Sequence, residues 1–228
     1  MKVPDYAAAR RALMRRDPVL AAIIKLHGPC RLGMARDRYD HFSMLVRAIV
    51  FQQLSTKAAT TIHNRLLEAM PDGRCTADAL ALLDDERLRT AGISRQKAKY
   101  LRDLCEKVAA GDVPLDSLDD LSDEEVITAL TRIKGIGRWT AEMFLIFRLQ
   151  RPDVLPVGDL GITNAIQKAY RLRKKPTADR MRKLGEAWRP YRSIASWYLW
   201  RSLEPPPVRS ARRANAIPKP SDPSPGWN

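Results

Sequence analysis

Two glycines one residue apart and flanked by cations form the first chemically suggestive group, Lys134-Gly135-Ile136-Gly137-Arg138. Glycine permits positive φ and carries no side chain. Backbone N–H groups in such a turn, with the N-terminus of a following helix, can therefore approach an anion such as a phosphate closely. Lys134 and Arg138 add positive charge there, and Thr140 adds a hydroxyl three residues past Gly137. The same spacing also reads as a plain connector between two helices. The second group is Asp159, just ahead of a helical apolar pattern. A carboxylate fixed in water-poor surroundings stabilises positive charge developing on a reacting carbon, and it can orient a water molecule. Backbone N–H donors and the positive end of a helix would favour its charged form. Asp is equally a common N-cap, and the two roles are compatible. The third group is aromatic: Trp139, Trp197, Tyr198 and Trp200. Aromatic faces attract a cationic ring by about 0.5–2 kcal/mol each.

Such side chains do chemistry only if rigid elements hold them. Apolar residues recur at three- and four-residue intervals almost throughout, and no run alternates strictly as a half-buried strand would, so the chain is expected to be all-α. The pattern predicts helices over Asp5 to Arg16, directly after Asp17-Pro18, and over Phe42 to Ala69 as one long element. Further helices are predicted over Thr76 to Leu83, Asp84 to Ala91 and Arg95 to Ala109. Ser122-Asp123-Glu124-Glu125 carries a capping-box pattern and starts a helix reaching Arg132. Others run from Arg138 to Leu149, Asp159 to about Tyr170, from Thr177, and from Pro190 to near Leu203. The glycine turn thus joins two helices, which small Ala141 lets pack closely. Leu88 to Lys99 reads as another helix-turn-helix with cations at its turn, either a second grip on backbone or a solvated charged face.

A chain of 228 residues buries a sizeable core as one domain or two small lobes. Forty Lys and Arg against 26 Asp and Glu leave +14 at pH 7, which points to a polyanionic partner, nucleic acid ahead of an anionic membrane surface. No run of about 18 apolar residues occurs and the first residues lack an uninterrupted apolar stretch, so neither a membrane span nor a secretory signal is expected and the placement is cytoplasmic. Cys30, Cys75 and Cys105 are odd in number and far apart, and His27, His41 and His63 have no metal-ligand spacing. Neither a disulfide framework nor a zinc site is expected. Beyond Glu204, seven prolines in 24 residues with Arg209, Arg212, Arg213 and Lys219 read as a disordered basic tail over 205–228.

The segment Ile133-Lys-Gly-Ile-Gly-Arg-Trp-Thr-Ala141, followed by Leu155-Pro-Val-Gly-Asp159 with 22 positions from Gly137 to Asp159, resembles the signature of the helix-hairpin-helix base-excision DNA glycosylases. Arg47-Ala-Ile-Val-Phe-Gln-Gln-Leu-Ser-Thr-Lys-Ala58 and Glu186-Ala-Trp-Arg-Pro-Tyr-Arg-Ser-Ile-Ala-Ser-Trp-Tyr-Leu-Trp200 are similar to the alkylbase branch, the 3-methyladenine DNA glycosylase II type. The resemblance covers roughly residues 40 to 203. It implies two lobes with a cleft between them, 1–44 with 156–204 and 45–155, the second carrying the hairpin at about 122–150, and no N-terminal β domain. It further implies base excision repair by a monomer on double-stranded DNA containing damaged bases, in the cytoplasm, at the nucleoid, or in a nucleus. Bifunctional relatives, which cut the strand through a Schiff base, carry a lysine where this chain has Trp139, so the resemblance implies a monofunctional enzyme without lyase activity. No Cys follows Cys105, so the four-cysteine cluster of several relatives is missing and no iron–sulfur cofactor is expected.

By the same resemblance Asp159 is the catalytic carboxylate, Gln53 and Leu54 form the wedge that replaces a flipped base, and Gln52 and Ser55 accompany it. Trp139, Trp200, Met143 and Phe51 line the base pocket, with Met143 standing where some relatives have tyrosine. Lys134, Gly135, Gly137, Arg138 and Thr140 hold the DNA backbone. Arg192 would touch phosphate or brace Asp159, and the carbonyls of Thr131, Ile133 and Gly135 would offer a site to Na+ or K+. An aromatic cage suits cationic lesions such as 3-methyladenine and 7-methylguanine. Open alternatives are another lesion (ethenoadenine, hypoxanthine, uracil) and a noncatalytic protein that uses the hairpin to grip backbone.

Overall fold

The computed structural model of the protein describes residues 4–33 and 39–205, so the expected basic tail lies outside them apart from Pro205. The described residues form α-helices and short 3-10 turns, with no strand among them. In chain order the first helices are α1 (Tyr6–Arg16), α2 (Pro18–His27), α3 (His41–Phe51) and α4 (Thr56–Ala69). Then come α5 (Ala77–Ala81), α6 (Asp85–Thr90), α7 (Arg95–Ala109), α8 (Asp123–Leu130) and α9 (Arg138–Phe147). The last are α10 (Leu160–Ala169), α11 (Ala178–Gly185) and α12 (Arg192–Arg201). The fold is all-α, and the described residues divide into two compact units, 4–33 with 150–205 and 39–149.

One expected element is two. The long helix over Phe42 to Ala69 breaks after Phe51: Gln52 leaves the helical region at ψ 130°, Gln53 turns left-handed at φ 57°, and Ser55 accepts the Ala58 N–H as the N-cap of α4. Periodicity is blind to this break because the apolar faces of α3 and α4 stay nearly in phase across it. The hydroxyl ahead of Thr56 was the available sign. The last helix starts at Arg192 rather than Pro190, with Tyr191 as its N-cap.

In the discontinuous unit α12 is central. Ser193 through Trp200 are all buried, and the helix packs on α1, α2 and α10. A helix buried on every side is largely apolar, and the three hydroxyls in α12 are engaged: Ser193 Oγ donates to the Arg151 carbonyl, Ser196 Oγ to the Arg192 carbonyl and Tyr198 Oη to the Gly28 carbonyl. The α1–α2 corner is built on Asp17. Its Oδ1 caps α2 by accepting from Val19 and Leu20 N–H, and its Oδ2 accepts from Tyr170 Oη and Trp188 Nε1. In the continuous unit α3 is central, buried from Phe42 to Phe51 and packed on α4, α7 and α9.

Buried polar groups in the continuous unit give its stability a pH dependence. Arg47 lies with its guanidinium 3.7 Å from the centre of the Phe51 ring, and the His63 ring meets Phe51 edge-on at 6.1 Å. Burial, helped by the charge of Arg47, pushes the His63 pKa down from 6.5 to about 4. The folded protein holds this histidine neutral while the unfolded chain takes up a proton below pH 6.5. Stability is therefore full above pH 6.5 and falls by up to about 3 kcal/mol as the pH is lowered to about 4. Denaturant melts of wild type and His63→Gln between pH 7 and 4 check this. The variant should lose distinctly less over that interval, and parallel losses would remove His63 as the cause.

Candidate functional site

Four residues hold the glycine turn in place. Asp103 of α7 is 5 % exposed; its Oδ2 accepts the Lys134 backbone N–H at 2.8 Å and its Oδ1 meets the Lys134 ammonium at 3.0 Å. Burial alone would raise the pKa of this carboxyl, but the two Lys134 donors outweigh it and hold it below the usual carboxylate range. Ile136 is buried and donates its N–H to the Ile133 carbonyl, closing the turn. Gly135 has φ +85°, and a Cβ there would collide with the ring of Tyr100, also on α7.

The two glycines are therefore glycine for different reasons. Gly135 answers to backbone conformation and to Tyr100. Gly137 has an ordinary φ of −94° and open space where its Cβ would stand, so of the two only Gly135 takes the positive φ expected for both. Gly137 is the N-cap of α9, and no side chain caps that helix. A Ser or Asp there would cap better by a few tenths of a kcal/mol. A glycine that neither the backbone nor the packing requires, at an uncapped helix start, leaves N–H groups presented to something outside the chain.

The expected cations are already engaged within the protein, Lys134 with Asp103, and Arg138 with Glu124 at 3.1 Å and Glu142 at 3.3 Å. Thr140 is buried and Trp139 half-buried. Of the carbonyls expected to offer a cation site, that of Ile133 accepts from Ile136 N–H and that of Gly135 accepts from Gln52 Nε2 at 2.7 Å. Each retains a second lone pair. Among the described residues no group of three or more His, Cys, Asp or Glu side chains could hold a metal ion.

The break between α3 and α4 places Gln53 and Ser55 fully in solvent and Leu54 half-buried. Lys97, on α7, donates to the carbonyls of Val50 at 2.7 Å and Gln52 at 2.8 Å. Two of the expected pocket residues present no such surface. Phe51 is buried beneath Arg47, and Met143 is 1 % exposed, so both belong to the core of the continuous unit.

In the discontinuous unit Asp159 is 7 % exposed and is the N-cap of α10. Its Oδ1 accepts from Ile162 N–H at 2.7 Å and from Trp200 Nε1 at 2.9 Å. Its own N–H donates to the Pro156 carbonyl, and the Thr163 hydroxyl donates to its carbonyl. Gly161 makes room for this: a Cβ there would stand 3.0 Å from Asp159 Oδ1 and 3.1 Å from Trp200 Cδ1. Trp200, expected as a pocket wall, is thus also the residue that fixes the carboxylate. Arg192 does not bind Asp159 directly; its Nε and Nη2 grip the Asp153 carboxylate at 2.8 and 3.0 Å. With Ser193, which binds Arg151 and Val154, it ties the start of α12 to the loop leading into Asp159.

Residues 46–190 match the family described as HhH-GPD superfamily base excision DNA repair protein. The chain belongs to this superfamily. It is 39% identical over 182 residues to DNA-3-methyladenine glycosylase 1 of Schizosaccharomyces pombe, covering 79% of this chain and 80% of that protein. A solved structure of the S. pombe 3-methyladenine DNA glycosylase in complex with abasic DNA superposes with a TM-score of 0.77 at 38% identity, over 86% of this chain and 96% of that one. The DNA-3-methyladenine glycosidase of Bacillus halodurans also gives 0.77, at 35% identity over 88% and 91% of the two chains.

Within this HhH-GPD chain the residues that the motif alone did not disclose are Lys97, Tyr100 and Asp103 of α7, together with Gly161. The α7 residues are spaced three apart and so share one helix face, but nothing in their types points to a distant turn. Gly161 lies two residues from Asp159 and could have been read as a close approach.

The Gly137 geometry yields a test. Gly137→Leu should lower the melting temperature by no more than about 2–4 °C, the cost of a poorer N-cap, and weaken binding to any duplex by about tenfold or more, the equivalent of one lost backbone contact. A titration of affinity against salt measures it, and wild-type affinity with an unchanged salt slope would remove the phosphate role.

Proposed function

We propose that this chain is a monofunctional DNA glycosylase that flips alkylated, cationic purines such as 3-methyladenine and 7-methylguanine out of double-stranded DNA and releases them by hydrolysis, leaving an abasic site. The observation that carries the reading is the Asp159 carboxylate, buried and aimed by Ile162 N–H and Trp200 Nε1. Its place 22 positions after Gly137 and the similarity of the chain to proteins named as 3-methyladenine glycosylases support it.

Cleavage moves the pair of electrons of the N-glycosidic bond onto the base. A methylated purinium ring leaves as a neutral base, so little protonation by an acid is needed. The sugar carbon becomes oxocarbenium-like, and the fixed negative charge of Asp159 opposes that developing positive charge. A water molecule then bonds to the carbon and gives up a proton. The half-buried indole of Trp139 offers electron-rich surface for a cationic base. Strand scission through a Schiff base has no amine at Trp139 to start it. The chain acts as a monomer, in whichever compartment holds the DNA. It works without an iron–sulfur cluster or zinc, and Na+ or K+ on the hairpin carbonyls would add only charge at the phosphate.

The experiment is release of free base from methylated duplex by wild type and Asp159→Asn, with strand breaks counted before and after alkali. The amide keeps the size and a capping oxygen, so the fold should survive, while release falls about 10²–10³-fold. Breaks should appear only after alkali. Release at the wild-type rate by the variant would overturn the assignment of Asp159, and breaks without alkali would overturn the monofunctional reading. Trp200→Phe, which removes the indole donor and keeps an aromatic ring, should slow release about tenfold with less effect on duplex affinity. An unchanged rate would mean that the Trp200 indole is not needed to aim the carboxylate.

A further inference from the structure

We infer that Lys97 is a positioning residue for base flipping: with Tyr100 and Asp103 it makes α7 the bracket that holds the wedge loop and the hairpin at a fixed spacing. The inference rests on the glycosylase reading above and concerns how the wedge, rather than the carboxylate, is kept ready.

The loop between α3 and α4 has few internal means to stay in place. Its tip, Gln53, is exposed and left-handed at φ 57°, a conformation that non-glycine residues adopt only at a cost in free energy. Strain of that kind persists only where neighbours over-determine the backbone. Here the neighbour is the Lys97 ammonium, which reaches the last exposed carbonyls of α3. It donates to Val50 and Gln52, the residues immediately ahead of the turn. An ammonium at a helix C-terminus meets the negative end of the dipole and also satisfies carbonyls that have no helical partner. Burial lowers the pKa of this lysine, consistent with an amine drawn in from solvent to reach them.

The loop is tied to the hairpin as well. Gln52 Nε2 donates to the Gly135 carbonyl at 2.7 Å, so the residue whose backbone Lys97 holds reaches across to the glycine on which Tyr100 packs. Three residues farther along α7, Asp103 takes the Lys134 N–H at the other side of the same turn. Lys97, Tyr100 and Asp103 thus lie on one face of a 15-residue helix and touch the two elements that would meet the strand, the wedge and the phosphate grip. A wedge that inserts into a duplex pushes back on its support, and its opposing force must be carried to where the backbone is held. The Gln52–Gly135 bond and the α7 bracket provide that path within one unit.

The test separates a positioning role from general weakening. Lys97→Met keeps the stem and removes the donor. It should slow release of a methylated purine from a fully paired duplex by about tenfold, while release of the same lesion opposite an abasic site, where unpairing is already done, stays within about twofold. The fluorescence rise of 2-aminopurine beside the lesion, which reports flipping directly, should fall in parallel with the first rate. Adding Lys97→Met to a chain already carrying Gln53→Ala and Leu54→Ala should slow it no further, because the bracket then has no wedge to hold. Equal losses on paired and unpaired lesions, or an additive loss in the wedge-deleted chain, would overturn the inference. Should Lys97→Met fail to fold, Gln52→Ala cuts the tie at a partly exposed side chain and must show the same split. Wild type failing to release base from either substrate would sink the glycosylase reading and the inference with it, and this wild-type control tells that failure apart from a failure of the bracket alone.

Discussion

A carboxylate can be held almost out of water only where donors are already aimed at it, and the unit formed by the two ends of the chain is organised around meeting that condition at Asp159. One donor comes from the helix the aspartate begins, the other from an indole 41 residues later on α12. The second requires α12 to lie at a set depth against α10. That depth is fixed at the far end of α12 by Arg192 and Ser193 on the 151–154 segment, and along its length by packing on α1 and α2. Asp17, which joins α1, α2, Tyr170 and Trp188 through one side chain, secures the helices on which α12 rests. The placing of one oxygen is thereby spread across most of a unit.

The continuous unit solves a different problem, that of presenting backbone. Both of its exposed features are turns, one with a side chain at the tip and one without, and turns are poorly held by their own hydrogen bonds. Each is fastened from behind by α7 through groups that reach main-chain atoms: an ammonium to carbonyls, a carboxylate to an N–H. Polar side chains directed at backbone fix position without adding bulk to the surface left for a partner.

Helix limits were legible at most caps written in the sequence, though Ser55 was read through as helix interior. Asp5, Asp17, Ser122, Asp159 and Thr177 each precede a helix that starts within a residue of the expected place. The break at Gln52-Gln53 was not legible, because a left-handed glutamine has no compositional sign and its support comes from Lys97, 44 positions away. Asp159 stood out through its spacing from the hairpin. That Trp200 donates to it could not be read, since an indole in an apolar helix has the same letter whether it lines a pocket or binds a carboxylate. Phe51 and Met143 illustrate the converse: the family resemblance implied a wall, and the packing buries both within the continuous unit.

Gly161 carries a consequence for how this sequence can change. Glycine in the first turn of α10 forgoes about 0.5–1 kcal/mol of helix propensity relative to alanine, and what a methyl group would meet there is the edge of the indole and the carboxylate oxygen. A single added carbon at this position pulls in two directions, toward a firmer helix and away from an aimed aspartate. Selection for thermal endurance alone would drift toward alanine at 161, and selection for turnover would hold the site empty, so the missing methyl marks a place where the fold is kept softer than it could be.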